Sequence, residues 1–201
     1  MEHATTMKHA DAYETGLTPG WGKLMMWVFL CSDAMSFAGL LAAYGAVRVS
    51  SQDWPVPAHV LDVPLTAFNT FVLICSSVSM VWGLSAIKRG DRKGLIRWLL
   101  VTMLGGSIFL GIQAFEWTHL ITNEHHPLTI QSSLFGATFF ILTGFHGCHV
   151  LSGVIYLGCI ALRAMRGGYS REDNNPVEIV GLYWHFVDLI WILVFTFVYL
   201  I

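Results

Sequence analysis

The chain has 201 residues, of which 55% are hydrophobic and only 12% are Asp, Glu, Lys or Arg, with a formal net charge of −2. Soluble domains carry about 25% charged residues, so a soluble monomer is excluded, and so is disorder, which needs low hydrophobicity. Nucleic-acid binding is excluded by the lack of a dense basic surface. What remains is a polytopic membrane protein, in keeping with a mean hydropathy of +0.60 and with 8 Trp that suit interfacial rings. At about 20 apolar residues per span, the length admits five or six helices.

Residues 1–22 are polar, with His3, His9, Asp11 and Glu14, and lack the basic-then-apolar layout of a cleaved leader. They read as a short tail on the membrane surface, followed by a single all-α domain over 23–201. Its first span runs from about Leu24 to Val47 with Asp33 as its only charge, and its second from about Thr66 to Ile87 with none. The third runs from about Trp98 to Thr118 and carries Glu116. The fourth, about Ser132 to Leu162, holds His146 and His149 but no Asp, Glu, Lys or Arg. The fifth, about Val177 to Ile201, is bordered by Glu178 and holds His185 and Asp188.

Lys and Arg alternate with these spans. The loop between spans two and three holds Lys88, Arg89, Arg92, Lys93 and Arg97, and that between four and five holds Arg163, Arg166 and Arg171. Lys8 and Lys23 precede the first span, whereas the other two loops offer only Arg48. The positive-inside rule therefore predicts a cytoplasmic N-terminus and an external C-terminus. The sequence has no convincing internal repeat. Cys31, Cys75, Cys148 and Cys159 lie in apolar stretches without a CxxC pair and read as small packing residues.

Ionisable groups inside a bilayer face protein or water rather than lipid, so their spacing is informative. Glu178, Gly181, His185, Asp188 and Ile192 recur at three- and four-residue steps and share a helix face, as do Leu142, His146, His149, Gly153 and Tyr156. Gln113 and Glu116 lie one turn apart, and Asp33 lies beside Ser36. Three readings compete: metal or haem ligation by His146, His149 and His185; a proton path through Asp33, Glu116 and Asp188; and hydrogen bonds that hold helices together. The structural reading carries most weight, because the His spacing lacks the Glu-x-x-His pairs of di-iron bundles. Small residues (Gly39 with Ala43, and Gly105, Gly106, Gly111, Gly144, Gly147 and Gly153) allow close backbone approach. A loop cluster of His119, Glu124, His125 and His126 offers zinc-type ligands without a zinc-type spacing.

Five segments together resemble subunit III of the haem-copper terminal oxidases, the cytochrome c oxidase and quinol oxidase superfamily, from about Trp21 to Ile201. They are Trp27-Val28-Phe29-Leu30-Cys31-Ser32-Asp33 with Phe37 and Tyr44; Asn69-Thr70, Ser76-Ser77 and Gly90-Asp91-Arg92-Lys93; Gly111, Gln113, Glu116 and Trp117; Phe139-Phe140 through Thr143-Gly144-Phe145-His146-Gly147-Cys148-His149-Val150; and Tyr183-Trp184-His185-Phe186-Val187-Asp188-Leu189-Ile190-Trp191. The resemblance is to the short, five-helix bacterial form, which lacks the first two helices of the long form. The family's prominent buried Glu is Asp33 here, so the choice between cytochrome c and quinol stays open, with cytochrome c favoured.

The resemblance implies an accessory subunit in the bacterial cytoplasmic (inner) membrane. It would carry no cofactor of its own, with haem and copper held by subunits I and II. Subunit I would be its main contact, with subunit II and other respiratory complexes as further partners. It would stabilise subunit I in turnover and support proton uptake to it. Asp33, Gln113, Glu116, His146, His149, Glu178, His185 and Asp188 become the candidate buried network, with Glu116 and Asp188 expected to bond to His on neighbouring helices. Bound phospholipid is implied, with Arg92, Lys93, Arg97 and Arg163 as headgroup candidates. The alternatives in other classes are a self-contained membrane haem or metal enzyme, a proton channel, and an assembly factor that leaves the mature complex.

Overall fold

The computed structural model describes residues 21–52, 54–122 and 128–201. Five long helices run through it: α1 Trp21–Ser50, α2 Val63–Lys88, α3 Arg92–Ile121, α4 Leu134–Met165 and α5 Asn175–Phe195. A one-turn helix at Pro57–Val60 precedes α2, and α5 ends in a π-helical turn at Thr196–Leu200. All five long helices are long and apolar enough to cross a membrane, and the described residues contain no strand. The expected all-α, five-span architecture therefore holds. Of the residues read as a tail, 1–20 lie outside the described residues, and Trp21 and Gly22 already belong to α1.

The helices outrun the apolar spans because their charged ends are helical too. α3 begins at Arg92 rather than near Trp98, capped by Asp91, whose Oδ1 accepts from Gly94 N at 2.8 Å. Ser133 caps α4 in the same way, its Oγ accepting from Gly136 N at 3.0 Å. A helix of 30 residues is about 45 Å long, so its ends reach through the headgroup layer of a hydrocarbon core about 30 Å thick.

Two of the turns share one C-terminal design. After α2, Gly90 takes φ 83 and donates to Ile87 O at 2.8 Å, while Asp91 N reaches Ala86 O at 2.9 Å. After α4, Gly167 takes φ 86 and donates to Ala164 O at 3.1 Å, while Gly168 N reaches Arg163 O at 3.0 Å. Both are Schellman ends, which call for a left-handed residue that only Gly adopts without strain.

α2 and α3 pack along most of their length, α4 joins α3 and α5, and α1 lies mainly on α5 with a smaller contact to α4. α1 buries a single stripe, Leu30, Asp33, Phe37 and Tyr44, and turns Trp27, Val28 and Met35 outward. The centre is aromatic: Trp184, Trp191, Tyr199, Phe37, Phe109, Phe135 and Phe139 are fully buried. Trp184 fits because Gly106 faces it. A Cβ on Gly106 would come to 2.4 Å from Trp184 Cη2. Gly39, Gly111 and Gly147 meet nothing within 4 Å, so the close approach expected at those three does not occur. The four cysteines are exposed on helix surfaces and free. They do not pack the core as expected, because each falls outside its helix's inward stripe.

Every described Lys and Arg except Arg48 lies at one end of the bundle, around the start of α1, the α2–α3 turn and the α4–α5 loop. Lys23 and Lys88 both pair with Glu178, joining the ends of α1, α2 and α5 there. Arg92 Nη2 donates to Met165 O at 2.5 Å, tying α3 to the end of α4.

Candidate functional site

The inward polar groups fall into separate clusters. In the first, Asp33 on α1 is 8% exposed, and its Oδ1 lies 3.2 Å from His149 Nε2 on α4. His149 Nδ1 is 2.7 Å from Phe145 O, a carbonyl that can only accept, so Nδ1 carries a proton. The rings of Phe37 and Phe145 pack beside His149, with centroids at 5.2 and 4.6 Å.

His146, one turn earlier on α4, is completely buried and stacks on Trp191 at 4.8 Å, with the edges of Phe109 and Phe37 nearby. Neither ring nitrogen has a hydrogen-bond partner among the described residues. The expectation that His146 ties helices by hydrogen bonds is therefore corrected. It acts as an aromatic packing residue, because the inward face it shares with Leu142 meets rings rather than polar groups.

Glu116 on α3 anchors a second cluster. Its Oε1 accepts from Thr66 Oγ1 of α2 at 3.1 Å. Its Oε2 accepts from Gln113 Nε2 at 3.1 Å and from Tyr199 Oη, beyond α5, at 2.9 Å. Three helical segments meet at one carboxyl group, and none contributes a His. On α5, His185 Nδ1 lies 2.6 Å from Ser77 Oγ of α2. Asp188 adjoins the same Ser77, and its Oδ1 is buried without a hydrogen-bond partner. Among the described residues, the carboxylate–His bonds expected at Glu116 and Asp188 are thus absent. The one that forms is at Asp33, because α1 crosses α4 at that height whereas Glu116 and Asp188 face the hydroxyl-bearing stripe of α2.

That stripe is what the sequence reading missed. Thr66, Asn69, Thr70, Leu73, Ser76, Ser77 and Met80 are all buried on α2. Trp191 Nε1 donates to Thr70 Oγ1 at 2.9 Å, and Trp184 Nε1 to Ser76 Oγ at 3.1 Å. Reading α2 for charge alone hid a face that its three- and four-residue hydroxyl spacing displays.

The remaining candidates are placed as follows. Glu178 sits with Lys23 and Lys88 at the basic end. The Arg163 guanidinium lies over the Tyr169 ring at 5.4 Å, and Lys93 and Arg97 are exposed. His119 is exposed, while Glu124, His125 and His126 lie outside the described residues. Among the described residues, no three His, Cys, Asp or Glu side chains converge as metal ligands would. Asp33, Glu116 and Asp188 occupy three different clusters, so the structure does not join them into one path. The arrangement fastens helices to one another, with Asp33 and His149 in close contact between α1 and α4.

Comparison with known proteins agrees with this geometry. Residues 1–201 match the family described as Cytochrome c oxidase subunit III. The "Cytochrome c oxidase subunit 3" of Corynebacterium diphtheriae is 42% identical over 177 residues, covering 87% of this chain and 85% of that protein. Its namesake from Thermostichus vulcanus is 34% identical over 184 residues, covering 91% of this chain and 89% of that one. A "Probable cytochrome c oxidase subunit 3" of Mycobacterium leprae is 39% identical over 175 residues, with 87% and 85% covered. With five spans, at least one inward polar group on each and a family match over residues 1–201, the chain belongs to the cytochrome c oxidase subunit III family.

Proposed function

We propose that the chain is the accessory subunit III of a haem-copper terminal oxidase in an aerobic respiratory chain. It packs against subunit I, protects it during turnover and supports proton uptake into it, while haem and copper reside in subunits I and II. The observation that carries this reading is the use made of the polar groups within the spans. Asp33, Glu116 and His185 each meet a side chain from another helix, which suits a scaffold better than a redox site. The outward face, with Trp27, Met35, Leu104 and Phe115, suits lipid and a neighbouring membrane subunit.

The gathering of Lys and Arg at one end supports a cytoplasmic N-terminus and an external C-terminus in a bacterial cytoplasmic membrane. Exposed Lys93 and Arg97 suit anionic headgroups there. Arg92 and Arg163 suit that role less, since each already has a partner within the chain. The name shared by the relatives favours cytochrome c over quinol as electron donor.

The test is to tag this chain, purify its complex, and measure haem, copper, subunit stoichiometry and oxygen uptake with each donor. One copy of this chain per haem-bearing subunit I is expected, with the isolated chain colourless. Haem or metal on the isolated chain overturns the proposal in favour of a self-contained enzyme, and a substoichiometric chain overturns it in favour of an assembly factor. Asp33→Asn is expected to leave the initial rate intact and to hasten inactivation during turnover. An unchanged inactivation profile removes Asp33 from the functional list.

A further inference from the structure

We propose that the groove along the seam between α3 and α4 receives an uncharged transmembrane helix of a neighbouring subunit, and that a hydroxyl or amide side chain of that helix donates a hydrogen bond to Gln113 Oε1. The proposal rests on the subunit reading above and deepens it by naming the surface that holds the chain in its complex.

The groove has a volume of about 220 Å³ and is lined by Leu110, Gln113 and Trp117 of α3 and by Gly144, Gly147 and Leu151 of α4, among others, with no Asp, Glu, Lys or Arg. Trp117 also lines an adjoining hollow of about 530 Å³, together with Ile121 and Phe140. From Leu110 to Ile121 the two hollows follow α3 for about 16 Å, or about three turns. The floor is small. A Cβ on Gly147 meets nothing within 4 Å, so packing within this chain does not require Gly there, although Gly in a helix interior costs stability relative to Ala. Gln113 is 4% exposed. Its amide nitrogen donates to Glu116 Oε2 at 3.1 Å, and its Oε1 has no hydrogen-bond partner among the described residues. The buried indole N–H of Trp117, one turn on, has none either.

Buried polar groups without partners are rare in native proteins and costly, most of all in hydrocarbon. Gln113 lies about 12 Å in from the end of α3 at Ile121. A helix about 45 Å long overhangs a hydrocarbon core about 30 Å thick by only about 7 Å at each end. Gln113 therefore sits within the hydrocarbon layer, below the reach of water and headgroups, and an acyl chain carries no donor for it. A side-chain hydroxyl or amide on a facing helix is the donor that membrane interfaces use. Because such a group also accepts, it suits the Trp117 N–H one turn away. The Gly floor lets the facing backbone come close, and a charged face finds no counter-charge in the lining.

The test uses the intact complex, purified through a tag on this chain. Leu151→p-benzoylphenylalanine places a photo-reactive group on the groove wall, and its adducts are identified by mass spectrometry. The expected adduct is a membrane-spanning peptide of another subunit with Ser, Thr, Asn or Gln within about one turn of the cross-link. Gly147→Leu fills the groove at a position where this chain itself has room. It is expected to release the chain from the complex about tenfold more readily in an SDS titration. Substituting the partner's polar residue by Ala in combination with Gln113→Leu is expected to show a coupling of about threefold. Adducts with phospholipid alone, or with a second copy of this chain, overturn the proposal, as does release of Gly147→Leu at the wild-type midpoint. Additive losses in the double substitution overturn the hydrogen bond to Gln113. Failure of the oxidase reading is distinguishable, since it shows as a cross-linked helix from a complex that holds no haem.

Discussion

Removing the Glu116 carboxyl tests whether the cluster joining α2, α3 and the end of α5 holds these helices together. Glu116→Ala deletes three hydrogen bonds, from Thr66, Gln113 and Tyr199. Interhelical hydrogen bonds in membranes average about 0.6 kcal/mol, so the three amount to about 2 kcal/mol, or about thirtyfold in an equilibrium. The fully buried Tyr199 hydroxyl adds to the loss, because nothing replaces its acceptor. Glu116→Gln behaves differently. Its amide oxygen still accepts from Gln113 and Tyr199, and its amide nitrogen donates to Thr66 Oγ1 once that hydroxyl turns its single proton from position 116 to Asp62 O, 3.0 Å away. The cost is then about 0.5 kcal/mol or less. The assay is an SDS titration of the purified complex, read as release of this chain. An Ala variant that releases at the wild-type midpoint refutes the cluster's contribution. A Gln variant as weak as Ala refutes the hydrogen-bond account and leaves charge as the cause.

Gly106→Ala drives a methyl group into Trp184 and is expected to cost about 1–3 kcal/mol, whereas Gly39→Ala, with open space around it, is neutral or stabilising by up to about 1 kcal/mol; thermal melts of the two variants check the contrast. His146→Ala opens a cavity among Phe37, Phe109 and Trp191 and lowers stability by about 2–4 kcal/mol without changing haem content. His146→Phe, which keeps a ring and forfeits no hydrogen bond, is expected to cost less than about 1.5 kcal/mol, and equal melting losses for the two contradict the packing role. Glu178→Gln weakens two partly exposed ion pairs of up to about 1 kcal/mol each and is expected to raise hydrogen exchange at the Trp21 end of α1, leaving α2 and α3 as protected as before.

The five spans were legible because the surrounding medium is itself apolar. A helix facing lipid must be hydrophobic over about 20 residues, so hydropathy alone finds it, and the few inward polar groups stand out at helical spacing. Asp33, Glu116 and His149 were found in this way, and Gly90 was visible in the α2–α3 turn. What spacing cannot reveal is the neighbour a face meets. Tyr199 reaches Glu116 across 83 residues, and Thr66 reaches it from a helix that carries no charge. His146 and His149 share a face one turn apart, yet one meets Trp191 and the other Asp33.

The sequence by itself therefore determined the membrane class, the number of spans, the family resemblance and the inward-turned carboxylates and histidines, since each follows from local periodicity or from transfer into an apolar solvent. Only the tertiary structure decided which inward residues meet. It paired Asp33 rather than Glu116 with a histidine, enclosed His146 in rings, and separated Gly106 from Gly39. Those outcomes depend on how the helices cross, and crossing is set by side-chain packing between segments far apart in the chain.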